Sequence, residues 1–120
     1  LGRRAGRRHQ RRGSRYERVG ARLLKKRGYA VVGEQVAGLA HVIVDGERLE
    51  TTIYADFVVE KRGARYVAEV KGGALRSATR ERTRRQLLEY GLVFDVDGLL
   101  LVDVIEKSVV EISFGYEAPP

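Results

Sequence analysis

The chain contains no cysteine, which excludes disulfides and cysteine-ligated zinc. Histidine is scarce: His9 and His41 are too few and too scattered for a zinc site. No run of uncharged apolar residues approaches the roughly 18 that a membrane-crossing helix needs. The N-terminus is rich in arginine but lacks the apolar segment of a secretory signal. Cytoplasmic residence is the expectation; an Arg-rich transit peptide is the alternative, against which the segment runs straight into a helical pattern. Asparagine, methionine and tryptophan are absent too, and arginine is plentiful. That depletion suits a thermophile or a high-GC genome, and composition does not separate the two.

Acidic residues are scarce in one place only. Residues 1–27 hold twelve of the 23 Lys and Arg residues but a single acid, Glu17. The rest of the chain carries eleven basic against fifteen acidic residues, so the net charge of +7 belongs to the N-terminal quarter. Such a block is an electrostatic footprint for a polyanion. Nucleic acid is the first expectation and an anionic membrane surface the second. A solubilising tail fits less well, because acids are nearly missing there.

At 120 residues the chain is one domain with one modest core. Residues 1–13 alternate Arg pairs with Gly, His and Gln, show no apolar periodicity, and read as a disordered basic arm. Residues 14–120 form the folded domain. Ser14 and Glu17 make a capping box, Tyr16, Val19, Ala21, Leu23 and Leu24 follow helical spacing, and Gly28 ends the helix. Strands are expected over Tyr29–Val36, Leu39–Val44, Leu49–Glu60 and Arg65–Lys71, with Asp45-Gly46 and Lys61–Ala64 as hairpin turns. Thr79–Tyr90 reads as a second helix. Leu99–Val104 reads as a buried strand, and Val109–Phe114 is the last strand. The fold class is α/β: a mixed central sheet flanked by helices.

Three charged residues, Asp56, Glu69 and Lys71, stand out within two neighbouring strands. Asp56 sits in Tyr54-Ala55-Asp56-Phe57-Val58; Glu69 and Lys71 sit in Val67-Ala68-Glu69-Val70-Lys71. Charge at a buried strand position is usually paired or holds a metal. Glu69 and Lys71 are two apart and leave one face of the strand. Antiparallel pairing brings Asp56 beside Glu69, and a hard divalent cation resolves the repulsion between two carboxylates. Read alone, Glu69 and Lys71 would make an exposed cross-strand salt bridge. Asp56 and the intervening apolar residues favour a site.

Asp56, Glu69-Val70-Lys71 and the element order around them resemble the PD-(D/E)XK nuclease superfamily, the restriction-endonuclease-like fold with its αβββαβ core. One departure is Ala55 where proline often precedes the aspartate. The resemblance implies phosphodiester hydrolysis with Mg²⁺, for which Mn²⁺ substitutes. It implies Asp56, Glu69 and the Val70 carbonyl as metal ligands, and Lys71 as the residue that holds the attacking water. The segment Tyr16-Glu17-Arg18-Val19 through Leu23-Leu24-Lys25-Lys26-Arg27-Gly28-Tyr29 looks like the opening of Holliday-junction resolvases. That implies a place for Glu17 in the metal site, in competition with its capping-box role. The same likeness implies a homodimer acting on branched DNA. An extended hairpin over residues 37–53 replaces the short Ser/Gly loop usual in those resolvases.

Gln86 and Tyr90 are four apart on one helix face, similar to the QxxxY motif of RecB-type nucleases, where that helix lines the DNA cleft. The plainer alternative makes Tyr90 core and Gln86 merely exposed. Arg76, Arg80 and Arg84 cluster near the start of this helix, and Arg11, Arg12 and Arg15 belong to the basic arm and its junction. All are candidates for phosphate contacts. No helix-turn-helix or zinc finger is evident, so recognition of shape is expected over base readout. The leading expectation is a structure-specific DNA endonuclease. A RecB-type exonuclease or repair nuclease is the alternative, and a non-catalytic DNA-binding module lies outside enzymes.

Overall fold

The computed structural model describes residues 15–73 and 80–120. The basic arm over residues 1–13, the Ser14 cap, Arg11, Arg12 and Arg76 lie outside the described residues. Residues 15–26 are helical (α1). There follow β1 (Ala30–Val44), β2 (Glu47–Lys61), β3 (Ala64–Lys71), a second helix α2 (Glu81–Val93), β4 (Gly98–Asp103) and β5 (Ser108–Ile112). The strands form one sheet in the order β1-β2-β3-β4-β5. Every neighbouring pair is antiparallel except β3 and β4. Parallel neighbours need a crossover connection, and α2 supplies it. The expected mixed sheet with helices on it is therefore observed.

Local chemistry sets the chain reversals. Asp45-Gly46 and Arg62-Gly63 both take positive φ, at 51° and 82° and at 51° and 80°. Two consecutive left-handed residues make the two-residue turn whose twist matches the flanking strands. At the end of α1, Gly28 has φ 91°. Its N–H bonds to Lys25 O at 3.0 Å, and Tyr29 N–H bonds to Leu24 O at 3.0 Å. This pair of bonds satisfies carbonyls that the helix end would otherwise leave open.

The two helices cover opposite faces of the sheet. On one face Leu24 of α1 packs with Phe57, Val59, Ala68, Val70, Leu100 and Val102. On the other, Leu87 and Tyr90 of α2 pack with Val58, Val67 and Leu99. Strands covered on both sides lose polar alternation, as the unbroken apolar stretch Leu99–Val102 does. Helix α1 lies so close to β3 that a Cβ on Gly20 would sit 2.7 Å from Val70 Cγ2. Valine is stiff about χ1 and gives way poorly. Gly20→Ala gains about 1 kcal/mol of helix propensity, but overpacking costs about 1–3 kcal/mol. A net loss of about 1 kcal/mol is expected in denaturant titration; unchanged stability would contradict this close approach.

One expectation needs correction. Two strands separated near Gly38 were anticipated, and β1 runs unbroken through that glycine. Gly38 instead serves helix packing: a Cβ there would approach Val93 Cγ1 to 2.7 Å and Phe94 Cζ to 2.8 Å. Beyond it the β1–β2 hairpin extends with residues 41–52 all exposed, His41 among them. The second helix also continues past Tyr90 to Val93, because the Gly91 backbone stays helical.

Candidate active site

The β2–β3 register carries the site. Phe57 pairs with Ala68, so the next step of the ladder sets Asp56 against Glu69. Both carboxylates are buried, at 4% and 1% exposure. Asp56 Oδ2 accepts a hydrogen bond from Val70 N–H at 2.9 Å. Lys71 Nζ lies 3.3 Å from Glu69 Oε2, and its side chain is a third exposed. The sequence expectation that Glu69 and Lys71 share a face therefore holds. Val70, between them, turns its side chain into the α1-facing core, so only its backbone is available to the site.

Burial raises the Glu69 pKa, and the adjacent Asp56 raises it further; Lys71 opposes both, and the result is about 8. At neutral pH the pair thus tends to retain a proton. Like charges this close cannot both ionise cheaply without a counter-charge.

Helix α2 supports the pair from beneath. The Tyr90 hydroxyl lies 2.8 Å from Tyr54 O and 3.2 Å from Glu69 Oε1, and Gln86 Nε2 donates to that hydroxyl at 2.8 Å. Tyr90 is 2% exposed, and burial, then Glu69, push its pKa well above the usual phenol value. Here the structure departs from the expected role in lining a DNA cleft. Tyr90 is too deep to touch nucleic acid and holds Glu69 instead, while Gln86 is half-buried and holds Tyr90. Tyr90→Phe leaves the buried Glu69 and Tyr54 groups short of a partner. It is expected to cost about 1–3 kcal/mol in thermal unfolding, and a neutral effect would show these contacts are not formed.

Glu17 reaches the site through a neighbour. Gln35 Nε2 donates to Glu17 Oε1 at 2.9 Å and to Asp56 Oδ1 at 3.1 Å. One side-chain amide therefore spans the carboxylates of α1 and β2. Sequence reasoning missed Gln35, because an isolated glutamine in a strand carries no motif. It also missed Asp103, which is fully buried. Asp103 Oδ1 accepts from the N–H groups of Gly73, Ile105 and Glu106 at 3.1, 2.9 and 3.1 Å. This fixes the chain just past Lys71, which Asp103 faces across the β3–β4 ladder. The available signal was an aspartate at a strand end before a turn, where its carboxylate caps nearby backbone.

The basic candidates among the described residues are peripheral. Arg15, Arg80 and Arg84 are exposed. Arg80 caps α2 without a side-chain bond, and Arg85 is committed to Glu81. Arg18, Arg22 and Lys25 line an open cleft of about 410 Å³ together with Glu17 and Glu34. These three cations share that cleft with Glu17, and the sequence had not marked them as phosphate contacts.

Among the described residues no group of three or more His, Cys, Asp or Glu side chains gathers tightly enough to hold a metal unaided. Mg²⁺ does not require one: it keeps several waters and binds through one or two carboxylates. The buried Asp56–Glu69 pair, two adjacent carboxylates beside the Lys71 ammonium, fits that demand.

No family model and no curated protein matches the chain. A solved structure titled "Crystal structure of SSO0001" is similar, with a TM-score of 0.62 at 19% identity. The match covers 83% of this chain and 48% of that one, so this chain spans about half its length. The likeness is one of fold. Among the described residues no helix is long and apolar enough to cross a membrane.

Proposed function

We propose that the protein is a Mg²⁺-dependent nuclease of the PD-(D/E)XK type that hydrolyses phosphodiester bonds in structured DNA. The observation that carries this reading is the buried Asp56–Glu69 pair with the Lys71 ammonium 3.3 Å from Glu69. Asp56 and Glu69 would hold the cation, with the Val70 carbonyl and Glu17 in support. Bound there, Mg²⁺ or Mn²⁺ supplies charge stabilisation to phosphoryl oxygens and acidifies a water.

The remaining work falls to the protein's own groups. Lys71 is exposed enough to reach substrate, and its ammonium offsets negative charge developing on the phosphate. Tyr90 and Gln86 keep Glu69 in one orientation. Arg15, Arg80 and Arg84, with the arm arginines Arg11 and Arg12 and with Arg76, take the phosphates on either side. Binding of that kind weakens steeply with salt, because each phosphate contact releases counterions. Recognition rests on backbone shape rather than base sequence. A two-fold dimer on a branched junction is the leading form of the proposal.

The Gln86–Tyr90 couple, at QxxxY spacing but set against Glu69 rather than in a DNA cleft, supports a second reading, a RecB-type exonuclease or repair nuclease. A cleavage panel separates the two: four-way junction, flap, linear duplex and single strand, each with Mg²⁺, Mn²⁺ or chelator. Cation-dependent cutting of the junction supports the leading form. Degradation from ends supports the second. Cleavage that survives the chelator, or no cleavage of any DNA, overturns both.

A further inference from the structure

Three features meet at Gln35. Its side-chain nitrogen bridges Glu17 and Asp56. Its backbone has φ 47°, a left-handed conformation that residues other than glycine, asparagine and aspartate seldom adopt. Its side-chain oxygen is buried and has no hydrogen-bond partner among the described residues. Buried polar atoms are nearly always satisfied, and an exception calls for an ion, a water or a functional role.

The sheet register explains how Gln35 came to this place. Val31 pairs with Val59, but Gly33 pairs with Val58. Val32 is the inserted residue of a β-bulge, and bulges beside functional sites re-aim side chains. The shift leaves Gln35, between the Glu34–Phe57 and Val36–Ala55 pairs, facing Asp56. Without it Glu34 would take that place and add a third carboxylate to a pair already in repulsion. Glutamine offers donors there. An amide has two N–H donors and one carbonyl acceptor. The nitrogen serves the two carboxylates, which leaves the carbonyl for an incoming group.

We propose that Gln35 is a positioning residue that couples Glu17 to the Asp56–Glu69 pair and presents its side-chain carbonyl to the hydrated divalent cation held there. The inference rests on the cation-binding reading above. Amide carbonyls suit hard cations and their waters. Groups that orient a metal's carboxylate ligands govern affinity nearly as strongly as the ligands themselves. Strained backbone concentrates where such an arrangement is needed.

The test separates stability from affinity. Mn²⁺ binding to the full chain is followed by electron paramagnetic resonance, and metal-free thermal unfolding is measured in parallel. Glycine accepts a positive φ freely, so Gln35→Gly is expected to keep or raise the metal-free Tm. It is expected to weaken Mn²⁺ binding by about tenfold or more. Glu17→Ala also weakens binding. The double variant loses little beyond Gln35→Gly, because the two residues act as a unit. Should Gln35→Gly fold poorly, Gln35→Asn tolerates the same backbone, is too short to bridge, and is expected to show the same loss. Native Mn²⁺ affinity in these variants, or losses that multiply in the double variant, would overturn the coupling alone. A native chain that binds no Mn²⁺ would remove the nuclease reading as well.

Discussion

Lys71→Ala is expected to lower Mg²⁺-dependent DNA cleavage by about 1,000-fold or more while the fold and DNA binding survive. The Lys71 side chain is a third exposed and pairs with Glu69, so its removal leaves no cavity in the core. What it removes is the ammonium 3.3 Å from Glu69. Burial and Asp56 already raise the Glu69 pKa against the opposing pull of Lys71. Without Lys71 the carboxyl is harder still to ionise in the metal-free protein, and the charge stabilisation at the phosphate is lost. Glu69→Ala is expected to abolish cleavage to the same degree. DNA affinity in both variants stays within a few-fold, because phosphate contacts by the arginines supply it. Full Mg²⁺-dependent activity in either variant would end the assignment of these residues.

The second large effect is a link between pH, cation and stability. Glu69 has a folded-state pKa of about 8 against an ordinary value of 4.5. A raised carboxyl pKa means that the folded state binds more protons than the unfolded state between those values. Stability therefore falls as pH rises through that window, by a few kcal/mol at most for one group of this kind. The metal-free protein is expected to lose Tm steadily from about pH 5 to pH 8.5. A divalent cation reverses the trend, because it stabilises the ionised pair. The Mg²⁺-induced rise in Tm is thus expected to be larger at high pH, and cation uptake near neutral pH releases a proton. Glu69→Gln removes the titrating group and flattens the metal-free pH slope. A slope unchanged in Glu69→Gln would show that other groups cause it.

Much of the fold was legible because its signals are local. Asp45-Gly46 and Arg62-Gly63 encode their turns through left-handed backbone, and the turn at Arg62-Gly63 alone sets the register of Asp56 against Glu69. Asp56 and Glu69 stood out because each interrupts an apolar run. What escaped depends on partners distant in sequence. Gly38 looked like a strand break, yet its lack of a side chain answers the approach of Val93 and Phe94. Gln35 faces Asp56 only because of the bulge at Val32, and nothing local announces that shift. Tyr90 was seen as part of a motif, but its depth under Glu69 follows from how α2 crosses the sheet. Asp103 binds backbone from two loops that meet only in the folded chain.

The central claim is that Asp56 and Glu69 jointly hold a divalent cation. Calorimetric titration of Mg²⁺ and Mn²⁺ into the native chain and into Asp56→Asn and Glu69→Gln, in two buffers of different ionisation enthalpy, tests it most directly. The account predicts saturable binding to the native chain with proton release near neutral pH, and weakening of about tenfold or more in each variant. Equal binding to all three proteins, or none to the native chain, would contradict it.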